Sequence, residues 1–175
     1  MYYKSLILSI SILLFSFQGL FSKEKQINWI SFEELQIKQK EEPKKVLISV
    51  YTSWCGWCKR MDKQVFTNAS LIDFVNENYY AVRLDAETKD PIVFKGQEYN
   101  FVKEYKVNEL AAVLLQGKMS YPTTIVMMEN LSQVETFPGF LEIPLIESIL
   151  KFFIENGKTN VSWNEFEKSF ESTWK

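Results

Sequence analysis

The 175-residue chain contains no histidine. That absence excludes Ser–His–Asp triads, Cys–His nucleophile pairs and every histidine-ligated metal site. Cysteine is nearly missing as well. The two present, Cys55 and Cys58, cannot close a four-ligand zinc site without borrowed carboxylates, and no metal site is expected. Charge of one sign is also lacking: 20 Lys plus Arg stand against 22 Asp plus Glu, a formal net charge of −2. Such a chain carries no electrostatic footprint for nucleic acid. No repeat, low-complexity tract or charge block points to a second domain. With 46% hydrophobic and 24% charged residues, the composition is that of a globular chain long enough to bury a core without staples.

The one long uncharged run lies at the N-terminus. Lys4 supplies a short positive region, an apolar stretch follows over 6–17, and small residues stand at Gly19 and Ser22 before Lys23-Glu24-Lys25. This layout predicts a secretory signal peptide over 1–22 and a single domain over 23–175. The competing expectation is an uncleaved anchor, because the uncharged run over 5–21 reaches the lower limit for a membrane span. Export would put the cysteine pair in an oxidising compartment, where a lone pair either forms one disulfide or trades it.

Along the rest of the chain, Ser31 and Glu34 read as a capping box opening a helix that stops before Pro43. Residues 46–51 are β-branched and almost wholly apolar, the pattern of a strand buried on both faces. A turn over 52–55 leads into a helix over 56–64, and Asn68 caps another carrying Leu71, Ile72, Phe74 and Val75. A strand is predicted at 80–85. A small hairpin turning at Lys95-Gly96 follows over 92–99, read as a surface insertion. Helices are expected at 101–106 and 108–116, then strands at 123–128 and 133–137. A final helix over 143–156 is closed by Gly157, with a short helical tail at 164–172. The order predicts one α/β sandwich with a mixed sheet. Met127 and Met128 alternate across a strand and read as core filling, not as soft-metal ligands.

The chemistry concentrates in Trp54-Cys55-Gly56-Trp57-Cys58-Lys59, where a buried strand hands over to a helix. A thiol at a helix N-terminus faces free N–H groups and the positive end of the dipole, which favours thiolate. Lys59 and Arg60 in the first turn would add to this. Cys58 lies one helical turn inward on the same face, so the spacing supplies an attacking and a resolving thiol without any base. Metal sites and inert disulfides share the C-x-x-C spacing. A non-enzymatic module, either a Cu(I) clamp or a structural disulfide, is therefore the alternative.

The stretch over 46–59 resembles the active-site strand and helix of the thioredoxin family. Its continuation over 61–66, 75–78 and 82–85 is similar to a secreted branch that includes the periplasmic C-terminal domain of thiol:disulfide interchange reductases. Tyr121-Pro122-Thr123 fits that family's cis-proline loop. The resemblance covers about 33–155. It implies a thioredoxin-like three-layer sandwich, a central mixed sheet flanked by helices, with an insertion at about 87–116 after the second core strand. It further implies a periplasmic protein-disulfide oxidoreductase, reductive in direction, with Cys55 attacking and Cys58 resolving. No cofactor beyond that redox-active disulfide is implied. The partners are protein thiols and disulfides together with a membrane or soluble redox protein that recharges the pair.

Supporting roles are implied for Trp54, Gly56, Trp57, Lys59, Tyr121 and Pro122, the last as a cis-proline with the Tyr121 backbone facing an extended substrate segment. Trp54 and Trp57 would shield the sulfurs and offer an apolar platform, although Trp54 also suits a wedge between helix and sheet. Two departures stand out. Ser49 occupies the position of the buried Asp that many thioredoxins carry six residues before the first cysteine. Arg83 falls near a position often held by a Lys paired with that Asp, which suggests a substitute pairing with Asp85.

Overall fold

Five strands form the central sheet in the computed structural model, which describes residues 25–132, 134–159 and 161–175. The predicted signal segment over 1–22 lies outside the described residues. The sheet begins with β1 (Trp29–Ile30), followed by α1 (Phe32–Glu41), β2 (Lys45–Tyr51), α2 (Gly56–Gln64), α3 (Ala69–Asn78) and β3 (Tyr79–Asp85). Two small hairpins come next, β4 (Ile92–Phe94) with β5 (Gln97–Tyr99), and β6 (Phe101–Val102) with β7 (Val107–Asn108). The chain continues through α4 (Glu109–Leu114), β8 (Thr123–Met127), β9 (Val134–Pro138), α5 (Ile143–Thr159) and α6 (Trp163–Ser169).

The sheet order is β1-β3-β2-β8-β9. β3 pairs parallel with both β1 and β2, whereas β8 runs antiparallel to both β2 and β9. The mixed sheet follows from the connections. α2 and α3 carry the chain across from β2 to a parallel β3, while a short turn can only return β8 as an antiparallel β9.

Alternation along the strands splits the core into two layers. Leu47, Ala81 and Val126 face Met61 of α2 and Val65 at its C-cap, Leu71, Ile72 and Val75 of α3, and Ile146, Ile149 and Leu150 of α5. Val46, Ile48, Val50, Val82, Leu84 and Ile125 face Phe32 and Leu35 of α1 and Leu110, Ala111 and Leu114 of α4. β2, central and covered on both sides, is the apolar run that the sequence displays. Met127 sits in the second layer and Met128 packs against the first, as adjacent strand residues must.

Four expectations need correction. Residues 101–106 are not helical: Phe101–Val102 pairs antiparallel with Val107–Asn108, and Lys106 takes a positive φ of 52° in the turn between them. The 92–99 hairpin is more than a surface addition, because Phe94 is buried edge-on against Phe32 at 5.3 Å. α5 continues past Gly157 to Thr159. Ser31 does cap α1, accepting from the Glu34 amide at 3.1 Å. The Glu34 carboxylate instead lies 3.6 Å from Lys38.

The C-terminal tail folds back onto α5. Glu147 is fully buried and accepts from Lys151 Nζ (2.6 Å), Ser172 Oγ (2.6 Å), Thr173 Oγ1 (2.7 Å) and the Trp174 amide (2.9 Å). Trp174 packs on Phe74 of α3 at 5.3 Å between ring centroids.

Candidate active site

Thr52 follows the buried strand β2, and the turn over 52–55 is closed by the Cys55 amide donating to the Thr52 carbonyl at 3.2 Å. Cys55 is the N-cap of α2. Its backbone is extended (φ −70°, ψ 106°), and its Sγ accepts from the Cys58 amide at 3.0 Å. A sulfur thus takes the place that Ser or Asp oxygen usually holds at an N-cap, among the free N–H groups of the first turn. Cys55 and Cys58 form a disulfide with Cα atoms 5.3 Å apart, and each residue is only 4% exposed. A Cβ added at Gly56 would meet nothing within 4 Å, so packing does not demand glycine there.

Two tryptophans rim the disulfide. Trp54 is 64% exposed, and its Nε1–H donates to both Glu87 carboxylate oxygens at 3.0 Å. Its ring meets Tyr121 edge-on at 6.0 Å. Trp57 is 55% exposed and tilts against Phe140 at 5.7 Å, with the Arg60 guanidinium 5.1 Å from one ring and 5.3 Å from the other. Arg60 therefore belongs to the aromatic platform. The Lys59 side chain is exposed on the first turn of α2. Trp54 is tied down by hydrogen bonding and ring contact at the surface, not wedged between helix and sheet.

The Tyr121–Pro122 peptide bond is cis. The Pro122 carbonyl accepts from the Gly139 amide at 2.8 Å, which ties the loop entering β8 to the end of β9. Burial, with the carboxylates of Glu87 and Asp85 nearby, pushes the Tyr121 hydroxyl above its usual range.

Beneath α2, Ser49 is buried, and strand register puts it between Arg83 of β3 and Thr124 of β8. The suggested Arg83–Asp85 pairing does not occur. Arg83 Nη2 instead donates to both oxygens of Asp62 at 2.9 and 2.8 Å, and its guanidinium lies 4.5 Å from the Tyr51 ring. Asp85 accepts from the Glu87 amide at 3.0 Å, which fixes the loop that presents Glu87. Asp62 is the only acid on α2, one helical turn past Cys58. Among the described residues, the side-chain oxygens of Thr52 and Thr124 and Nε of Arg83 are buried without a hydrogen-bond partner.

Asp62, Glu87 and Phe140 are the site residues that sequence reasoning missed. For Asp62 a signal existed in its i+4 spacing from Cys58. Glu87 and Phe140 arrive from distant loops. Among the described residues no group of three or more Cys, Asp or Glu side chains is placed to hold a metal ion.

A buried disulfide at a helix N-terminus, on a mixed sheet flanked by helices and with a cis Tyr121–Pro122 bond in the loop entering β8, defines a thioredoxin-fold protein. The chain belongs to the Thioredox_DsbH family, described as a protein of unknown function (DUF255), whose model matches residues 19–137. An uncharacterized protein of Archaeoglobus fulgidus is 33% identical over 76 residues, which span 42% of this chain and 60% of that protein. Spermatogenesis-associated protein 20 of Rattus norvegicus is 31% identical over 67 residues, 38% of this chain but only 8% of its own length. The chain thus spans less than two thirds of these relatives.

Among solved structures, a thioredoxin-fold protein from Helicobacter pylori superimposes with a TM-score of 0.55 at 20% identity, covering 85% of each chain. A thioredoxin from Thermus thermophilus gives 0.56 at 11% identity, over 84% of this chain and 99% of that one. DsbH Oxidoreductase gives 0.53 at 15% identity, over 72% and 83%. At these identities the likeness establishes the fold.

Proposed function

We propose that this protein is an exported protein-disulfide oxidoreductase working in the reductive direction, with Cys55 as the attacking and Cys58 as the resolving residue. The observation that carries the reading is the Cys55–Cys58 disulfide capping α2 between two exposed tryptophans. In the dithiol state the Cys55 thiolate attacks one sulfur of a substrate disulfide, forming a mixed disulfide and expelling the other substrate sulfur as thiolate. Cys58 then loses its proton and attacks Cys55 Sγ, which releases the second substrate thiolate. Two electrons pass to the substrate, and its thiolates take up the protons.

The chain's own groups support each step. The free amides of the first turn of α2 stabilise negative charge on Cys55. Trp54, held by Glu87 and Tyr121, and Trp57, held by Phe140 and Arg60, bound the approach to the sulfurs. The Tyr121 backbone, positioned by the cis bond to Pro122, faces an extended substrate segment. No cofactor is needed besides the disulfide itself. A reduced redox protein, soluble or in the membrane, returns the pair to the dithiol. Export to the periplasm follows from a signal segment over 1–22, with residues 23–175 as the working domain. Among the described residues no helix is long and apolar enough to cross a membrane.

The test is reduction of insulin disulfides driven by dithiothreitol. Cys55→Ser should abolish the catalysed rate, and Cys58→Ser should accumulate a mixed disulfide through Cys55. Unchanged turnover in both variants would sink the proposal.

A further inference from the structure

Beside the Trp54 rim lies a cleft of about 330 Å³ lined by Glu87, Lys89, Phe101, Lys103 and Lys106. It is continuous with the disulfide site through one residue. The Glu87 carboxylate that borders the cleft is the group that receives the Trp54 indole N–H. The three lysines come from two segments, the loop after β3 and the turn of the β6–β7 hairpin. Their side chains make no ion pair or hydrogen bond within the described residues. Three cations against one carboxylate leave the cleft positive on a molecule whose net charge is −2.

The cleft is held in shape by its backbone. Asn108, fully buried at the foot of the hairpin, donates from its amide to the Ala86 carbonyl at 2.8 Å and from Nδ2 to the Tyr99 carbonyl at 3.3 Å. The Glu109 carboxylate accepts from the Asn100 amide at 2.7 Å. The Asn108–Ala86 bond fastens the hairpin to the start of the loop that carries Glu87 and Lys89, and the other two tie its base to β5 and α4. Among the lining residues Glu87 is the one acid. Glu104 sits on the exposed hairpin turn and does not line the cleft, and Asp85 and Asp90 line a separate cavity beside the start of α1.

We infer that this lysine-lined cleft docks an acidic segment of the partner protein, adjacent to the disulfide being exchanged. The inference rests on the disulfide-exchange reading above and adds a substrate class to it: proteins with Asp- or Glu-rich sequence next to the reacting cysteine. Phe101 gives the segment an apolar floor, and the lysines give long-range attraction and register.

The experiment compares kcat/KM for three disulfides with dithiothreitol as reductant: a peptide disulfide flanked by four Asp/Glu residues, the same peptide flanked by Ser/Gly, and neutral bis(2-hydroxyethyl) disulfide. The acidic peptide should be preferred by about tenfold at low ionic strength, the factor that three exposed charge pairs of ordinary strength supply. The K89A/K103A/K106A variant should lose that preference, as should the wild type in about 0.5 M salt, where screening is nearly complete. The small disulfide should react equally fast in both proteins, which shows that the variant is folded and its cysteines competent. Equal kcat/KM for the two peptides, or a preference that survives in the variant, would overturn the inference alone. No turnover of any of the three disulfides would overturn the exchange reading and this inference with it. Lysine-dependent binding of phosphatidylglycerol vesicles without discrimination between the peptides would assign the cleft to lipid, and would likewise overturn it.

Discussion

Removing the Glu147 carboxylate should cost more stability than any other single polar substitution outside the disulfide site. Burial alone would raise this carboxyl. Donation from Lys151, Ser172, the Trp174 amide and Thr173 overrides that and holds it down at about 2, against an ordinary 4.5. A displacement of that size corresponds to about 3 kcal/mol. The folded-state value lies below the unfolded one. The stabilisation is therefore complete above about pH 4.5 and fades as the pH falls towards about 2. Glu147→Gln keeps the shape but turns an NH₂ group towards at least one donor. The variant should lose about 2–3 kcal/mol at pH 7, the cost of leaving buried donors unmatched to a charge. Urea unfolding of wild type and variant at pH 7, 4.5 and 3 measures this, and amide exchange at Thr173 and Trp174 reports whether the tail has come away. Two results would refute the reasoning: a variant within about 0.5 kcal/mol of wild type at pH 7, or one that keeps the wild type's loss of stability below pH 4.5.

Two further substitutions probe the surroundings of the disulfide. Glu87→Ala removes the acceptor of the Trp54 indole N–H. That proton should exchange faster with solvent by NMR, and kcat/KM for peptide disulfides should fall several-fold while the small disulfide is unaffected. An unchanged indole resonance would mean that Trp54 is held by Tyr121 alone. Asp62→Ala strands the Arg83 guanidinium, whose Nε is already buried without an acceptor. The midpoint of unfolding should drop by about 1–2 kcal/mol equivalent, and adding Arg83→Met should recover part of the loss. Additive losses in the double variant would contradict the pairing.

What the sequence displays and what it conceals divide along a physical line. The helix over 69–78 and the hairpin at 92–99 are legible because their signals are local: the capping Asn68, an apolar period, a Lys-Gly turn. β2 is legible because burial on both faces writes an unbroken apolar run. β1 is not, since two residues carry no period and their strand character comes from pairing with Ala81 and Val82. The same holds for β6 and β7, whose intervening residues 103–106 read as helix formers until the antiparallel partner is known.

At the site, the cysteine pair and its tryptophans announce themselves within six residues. The partner of Arg83 does not. Asp62 lies 21 positions away on a crossing helix, whereas Asp85, two residues on, is committed to the backbone of its own turn. Glu147 shows only its i+4 partner Lys151 locally; its other donors come from a tail 25 to 27 residues on. Polar pairings set by the crossing of elements are invisible to any local pattern.

The account stands most directly on one measurement, the equilibrium of the Cys55–Cys58 pair with defined ratios of oxidised and reduced thiol buffer, read by alkylation and mass. It predicts full and reversible exchange with a midpoint at or below about −230 mV, in the range of thioredoxin and the more reducing glutaredoxins. A midpoint near about −120 mV, where the strong disulfide donors lie, would contradict the reductive direction. A pair that never equilibrates with the buffer would contradict the disulfide-exchange account itself.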